Sequence, residues 1–133
     1  MTIEQKVKSI KEDLDFFEDD LAKYEYIIEL GKKLEPLQED EKIPKNLVHG
    51  CTSQVWLTYE NKDGMCFFKG TSDAIIVKGL VYIILDIFSN RSLEEINEVG
   101  TEILYDLDLA EIVTPSRQSG LIGMIKKIKQ YTS

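Results

Sequence analysis

Apolar residues recur every three or four positions at the start of the chain: Ile3, Val7, Ile10, Leu14 and Phe17, with Lys6, Lys8, Lys11, Glu12 and Asp13 between them. This spacing predicts an amphipathic helix over 3–17. Asp19 or Asp20 can cap a second helix reaching about Leu34, with Leu21, Tyr24, Ile27, Ile28 and Leu34 turned inward. Pro36 and Pro44 then bracket an acidic, polar stretch, read as an exposed connection with a solvated surface rather than a binding site. The period changes at Val55. Residues 55–60 and 65–70 are rich in β-branched and aromatic side chains, and Asn61-Lys62-Asp63-Gly64 supplies turn chemistry between them. That pattern predicts a hairpin reversing at Asp63-Gly64. A third strand near Asn46-Leu47-Val48 is expected, because two strands alone rarely hold a sheet. Cys66 falls inside the second strand, where core filling is a simpler role than a catalytic or resolving one.

Residues 74–88 carry so many large apolar side chains that almost no polar face remains. A helix of that kind belongs at the buried centre of a domain, with Ser72 or Asp73 as its expected cap. Lys78 interrupts it and reads as a lysine snorkelling at the core edge rather than a functional cation. Ser92-Leu93-Glu94-Glu95 has the capping-box pattern of a short helix start. Residues 98–111 continue as acidic helical or irregular chain. Thr114-Pro115 opens a last helix with Leu121, Met124, Ile125 and Ile128 on one side. No repeat or composition break divides the chain, so a single domain over 1–133 is expected.

Charge narrows the partners. The chain has 133 residues, 43% of them hydrophobic, and a net charge of −8 at pH 7. A polyanion is repelled by phosphate backbones, so nucleic acid is a disfavoured partner class, and an anionic membrane surface is no better. The longest apolar run, Leu80 to Leu85, falls far short of the roughly 20 residues a membrane helix needs. The first residues show no basic segment followed by an apolar block, so a cytoplasmic location without a signal peptide is the expectation. From Ile112 onward there is no acid, against Arg117, Lys126, Lys127 and Lys129. The three lysines suit a helix C-terminus, where cations offset the dipole. Arg117 stands at the helix start, where that logic places no cation, and is therefore a candidate functional residue.

The candidate chemistry lies in His49-Gly50-Cys51-Thr52-Ser53-Gln54-Val55-Trp56-Leu57. Gly50 frees the backbone ahead of the cysteine, and Thr52 and Ser53 favour a turn. Cys51 is either a reactive thiol presented on a loop before a rigid strand or a buried structural cysteine. Cys51, Cys66 and the lone His49, without C-x-x-C or H-x-x-x-H spacing, make a weak case for zinc. An iron–sulfur cluster normally takes three or four thiolates, so no cofactor or metal of the chain's own is expected.

The segment Gly50-Cys51-Thr52-Ser53-Gln54-Val55-Trp56 resembles the Gly-Cys-x-Ser-x-Val-Trp signature of SufE-type sulfur acceptors, partners of cysteine desulfurases. Four further blocks resemble the same family in the same order. They are Tyr26-Ile27-Ile28-Glu29-Leu30-Gly31, Gly70-Thr71-Ser72-Asp73-Ala74, Ile76-Val77-Lys78-Gly79-Leu80, and Thr114-Pro115-Ser116-Arg117 followed by Gly120-Leu121. The resemblance implies an α+β fold, a small antiparallel sheet of about three strands with helices packed on one face, shared with iron–sulfur scaffold proteins of the IscU type. It places the sulfur-carrying cysteine at Cys51, and puts Asp73 and Arg117 near the carrier loop or the desulfurase contact. Where the family commonly has a histidine before the Thr-Pro-Ser-Arg block, this chain has Ile112.

The resemblance further implies a function. Cys51 takes persulfide sulfur from a cysteine desulfurase, a pyridoxal-phosphate enzyme, and relays it toward iron–sulfur assembly through a downstream scaffold. The protein is then a carrier and activator rather than an enzyme in its own right, either a monomer or a weak homodimer. His49, two residues from Cys51, leaves an extended segment on the same face and is a candidate activator of the thiol. The competing reading is a hydrolase or transferase with Cys51 as nucleophile and His49 as base. Cluster assembly on the chain itself is disfavoured by its two thiols.

Overall fold

The computed structural model describes residues 1–50, 53–109 and 112–133. Thr2 and Gln5 open helix α1 (Ile3–Asp15) with a reciprocal capping box: Gln5 N donates to Thr2 Oγ1 at 3.1 Å, and Thr2 N donates to Gln5 Oε1 at 2.8 Å. Ile3, Val7, Ile10 and Leu14 are its buried stripe, as the spacing predicts, but the helix ends at Asp15 and leaves Phe17 beyond it. Asp19 caps α2 (Asp20–Gly31) by accepting from Ala22 N at 2.7 Å. Two expectations for α2 need correction. It stops at Gly31 rather than Leu34, and Leu21 is exposed instead of facing inward. Leu21 belongs to the first turn of the helix, whereas the buried positions Ile27, Leu30 and Gly31 all lie in its C-terminal half.

Strands β1 (Val55–Lys62) and β2 (Met65–Ser72) form the expected hairpin, each two residues longer than predicted. Asp63 and Gly64 both have positive φ, 53° and 85°, the backbone of a type I′ turn whose twist matches that of the strands. The register pairs Leu57 with Gly70 and Tyr59 with Phe68. One face of the hairpin thus turns Val55, Leu57, Cys66 and Phe68 into the core. Cys66 is fully buried.

The third strand lies elsewhere than expected. It is β3 (Arg91–Ser92), which follows α3 (Ile75–Phe88) and pairs antiparallel with Cys66 and Met65 of β2, giving the order β1-β2-β3. Asn46 instead ends a 3₁₀ turn over Pro44–Asn46, and the neighbouring segment meets β1 through a single bridge between Leu47 and Trp56. Pro44 fixes the start of that turn, so too little extended chain remains to make a ladder.

The apolar helix α3 occupies the centre, packed by α2, β2, the last helix and α1. Its buried residues include Ile76, Val77, Leu80, Val81, Ile83, Ile84, Ile87 and Phe88, and Lys78 is half-buried at the edge. Neither Ser72 nor Asp73 caps it; the N-cap is Ala74, without a side-chain bond, because both polar side chains are engaged elsewhere. At the far end Arg91 is buried, donating Nε to Ile87 O at 3.0 Å and Nη1 to Glu95 and to the carbonyl of Met1. It ties the chain start to the end of α3. Ser92 and Glu95 form the predicted capping box of α4 (Leu93–Asn97). The described residues of the acidic stretch that follows form one short helix, α5 (Ile103–Leu107).

Thr114 and Pro115 start α6 (Pro115–Thr132), which buries Leu121, Met124, Ile125 and Ile128 as predicted. Its lysines do more than offset a dipole. Lys127 Nζ donates to Lys45 O at 2.7 Å, and Lys129 Nζ donates to the carbonyls of Ile96, at 2.9 Å, and Val99. The basic helix is stapled by its cations to the segments on either side. The molecule is the α+β architecture expected, three antiparallel strands packed against helices. Among the described residues no helix is long and apolar enough to cross a membrane.

Candidate functional site

The cysteine signature connects Val48 to β1, and both of its ends are tied. At the upstream end Val48 N donates to Val55 O at 2.8 Å, and the Val48 side chain is buried. At the downstream end Gln54 is held three ways. Its N–H donates to Asp73 Oδ1 at 3.1 Å, and its carbonyl accepts from Ser72 Oγ at 2.8 Å and from Asp73 N at 3.2 Å. These are the bonds that take Ser72 and Asp73 away from capping α3. A six-residue span, 49–54, is thereby closed at its base against the end of β2. Cys51 and Thr52 lie outside the described residues, and the site is built from the residues around them.

Gly50 has φ of +94°, in the region that residues bearing a Cβ adopt only at a cost. The tight course of the chain out of His49 therefore requires glycine, as the sequence pattern implies. His49 is exposed. Its carbonyl, not its ring, makes the close approach. The His49 oxygen sits so near Gly123 of α6 that a Cβ there would overlap it, and that Cβ would also lie 3.3 Å from Val48 Cγ1. A Cβ at Gly50 would come within 3.8 Å of Ser119 O, one turn earlier on α6. The described part of the span rests on the N-terminal half of the last helix.

Arg117 occupies the third position of α6, where its N–H reaches the Thr114 hydroxyl at 3.4 Å. Its guanidinium points to α2 and donates from Nη1 to Tyr24 Oη at a long 3.5 Å. The structure thus puts Asp73 in direct contact with the span, seats His49 and Gly50 on α6, and draws Arg117 toward Tyr24. Ile112 is partly buried against the core. Sequence reasoning missed Gln54, Ser72, Gly123 and Tyr24 as members of this neighbourhood. Gln54 and Ser72 stand inside the family-like blocks; Gly123 and Tyr24 carry no local signal, because their roles arise from the packing of distant helices.

Cavities also lie away from the span. A groove of about 370 Å³ runs beside the outer side of the hairpin between Thr58, Glu60, Phe67, Tyr82 and Asp86, and a cleft of about 190 Å³ sits between α5 and α6 at Leu104, Tyr105, Leu121 and Ile122. Neither is lined by the span. Among the described residues no three His, Cys, Asp or Glu side chains converge as a metal site would require.

Residues 8–132, nearly the whole chain, match the family model SufE, an Fe-S metabolism associated domain. The fold is similar to the solution structure of a hypothetical protein from Thermus thermophilus, with a TM-score of 0.78 and 19% identity over 96% of this chain and 93% of that one. At that identity the likeness speaks for the fold alone. With the family match spanning both tied ends of the cysteine signature and the helix it rests on, the chain belongs to the SufE family and acts in Fe–S metabolism.

Proposed function

We propose that this protein is a sulfur carrier in which Cys51 accepts a sulfur atom from the persulfide of a pyridoxal-phosphate-dependent cysteine desulfurase and passes it toward cluster assembly on a separate scaffold. The observation that supports this reading is that the residues flanking the cysteine signature are tied, at Val48–Val55 and at Gln54–Asp73, within a chain of the SufE family. Such a span can be offered to a partner without disturbing the sheet or α3.

The transfer follows thiol–disulfide exchange logic. The Cys51 thiolate attacks the terminal sulfur of the donor persulfide and forms a new S–S bond. The donor's S–S bond breaks, and its cysteine leaves as a thiolate. The product is a Cys51 persulfide, the proton on the transferred sulfur travels with it, and no external oxidant or reductant is consumed. The thiolate is the reacting form, and an ordinary thiol with a pKa of about 8.5 is mostly protonated at neutral pH. His49 and Arg117 are the candidate cations to favour it, Gly50 is the hinge on which the span turns toward the desulfurase, and Asp73 holds its downstream end.

The test is intact-mass analysis after incubation with a cysteine desulfurase and free cysteine. The expected result is a mass increase of one sulfur atom on the peptide containing Cys51, absent in Cys51→Ser and retained in Cys66→Ser. Equal sulfur loading of wild type and Cys51→Ser ends the proposal.

A further inference from the structure

Gly123 stands in the middle of α6, where glycine is a poor choice for a helix on its own account. Its surroundings explain it. A Cβ at this position would overlap the His49 carbonyl oxygen, a backbone atom that can yield only if the chain itself moves, and would press on Val48 Cγ1 at 3.3 Å. One turn earlier, a Cβ added at Gly50 would stand at an ordinary van der Waals distance, 3.8 Å, from Ser119 O. The segment just before Cys51 therefore lies directly on a part of α6 without side-chain bulk. Val48 is anchored to Val55 and buried, so pressure from α6 falls on the chain beyond it, at His49 and Gly50.

We infer that Gly123 is a positioning residue for the sulfur carrier: it is the seat on which the His49–Gly50 backbone rests, and the absence of a Cβ there sets how readily Cys51 is offered to a reaction partner. The inference rests on the sulfur-carrier reading for its purpose, but not for its geometry. Gly123 touches no reacting atom; it acts through His49 and Gly50. Filling the seat favours the unseated arrangement of the span, a population shift that leaves the rest of the fold in place.

The experiment is the rate at which iodoacetamide labels Cys51 in the full chain, followed by intact mass from pH 6 to pH 9, with buried Cys66 as the internal monitor of folding. In Gly123→Ala the expected rate at Cys51 is at least about threefold above wild type. The whole pH profile is displaced upward with its midpoint unchanged, because access rather than thiol acidity has changed. Cys66 stays unlabelled. Lys126→Ala, an exposed position on the same helix, behaves as wild type. An unchanged profile overturns the inference, and so does a midpoint shift without displacement. Labelling of Cys66 in Gly123→Ala also overturns it, since that would make Gly123 a requirement of the core and not a seat for the span. No desulfurase is needed, so failure here and failure of the persulfide assay are read separately.

Discussion

Cys66 meets no solvent, and its sulfur lies 3.6 Å from Tyr59 Oη on the inner face of the hairpin. Tyr59 in turn packs on Phe68 and Tyr131, with ring centroids 5.3 and 5.6 Å away. A thiol so placed works as a small hydrophobic filler with a weak hydrogen bond. Replacing it by Ala removes one heavy atom from a closed site, which costs about 1 kcal/mol. Cys66→Ala is therefore expected to unfold a few degrees below wild type while accepting sulfur at the wild-type rate. Calorimetry and persulfide loading check the two halves, and loss of loading in a folded Cys66→Ala protein would give Cys66 a part in the relay. At this scale the sequence was legible where a residue's own chemistry decides its role, as for Cys66 in a strand or Gly50 at positive φ. It was less so for His49: the sequence pointed to its ring, while the contact it makes with α6 is through a backbone carbonyl.

Between elements, α2 crosses α3 at close quarters. A Cβ on Gly79 would overlap the Ile27 carbonyl and lie 2.6 Å from Ile27 Cγ2, and a Cβ on Gly31 would lie 2.7 Å from Gly79 N and 2.8 Å from Lys78 Cβ. The two glycines let the helix backbones nearly touch. In an isolated helix Gly→Ala gains about 1 kcal/mol, but forcing extra atoms into a packed site typically costs about 1–3 kcal/mol and more against rigid backbone. Packing wins at this crossing. Gly79→Ala is expected to lower Tm by several degrees, with urea denaturation showing a lower midpoint at unchanged slope; a Tm at or above wild type would mean that the helices separate freely. Periodicity predicted α1, α3 and α6 because each has a long apolar stripe, and Asp63-Gly64 fixed the hairpin register. It missed β3, since two residues leave no alternation to detect, and it misplaced the α3 cap, since nothing local reveals that Ser72 and Asp73 are drawn to Gln54, 18 and 19 residues earlier.

Across the whole molecule, acid stability is set by carboxylates that hold backbone N–H groups at separate points of the chain. The Gln38 N–H, followed by Lys69, keeps Glu41 below the usual carboxylate range. The Ser92 N–H is the main cause for Glu95, aided by Arg91, and the Gly100 N–H for Glu102. Each is depressed in the folded state, so the unfolded chain binds protons first as pH falls. The stabilisation is fully present above the unfolded carboxylate pKa of about 4.3 and is lost as pH drops through the folded values. An opposing effect exists, because the net charge of −8 repels itself at pH 7 and is relieved by protonation. Surface repulsion is screened by salt and spread over many groups, whereas the backbone bonds are local and fixed, so the carboxylates dominate below about pH 4.3. Tm is therefore expected to change little between pH 7 and pH 5 and to fall steeply below. Glu95→Gln keeps an acceptor for Ser92 N–H but removes the titration, and should show a shallower acid limb with a slightly lower neutral Tm. Wild-type stability that rises on acidification to pH 3 would show that self-repulsion outweighs the carboxylate bonds, and an acid limb of unchanged slope in Glu95→Gln would remove that carboxylate from the account.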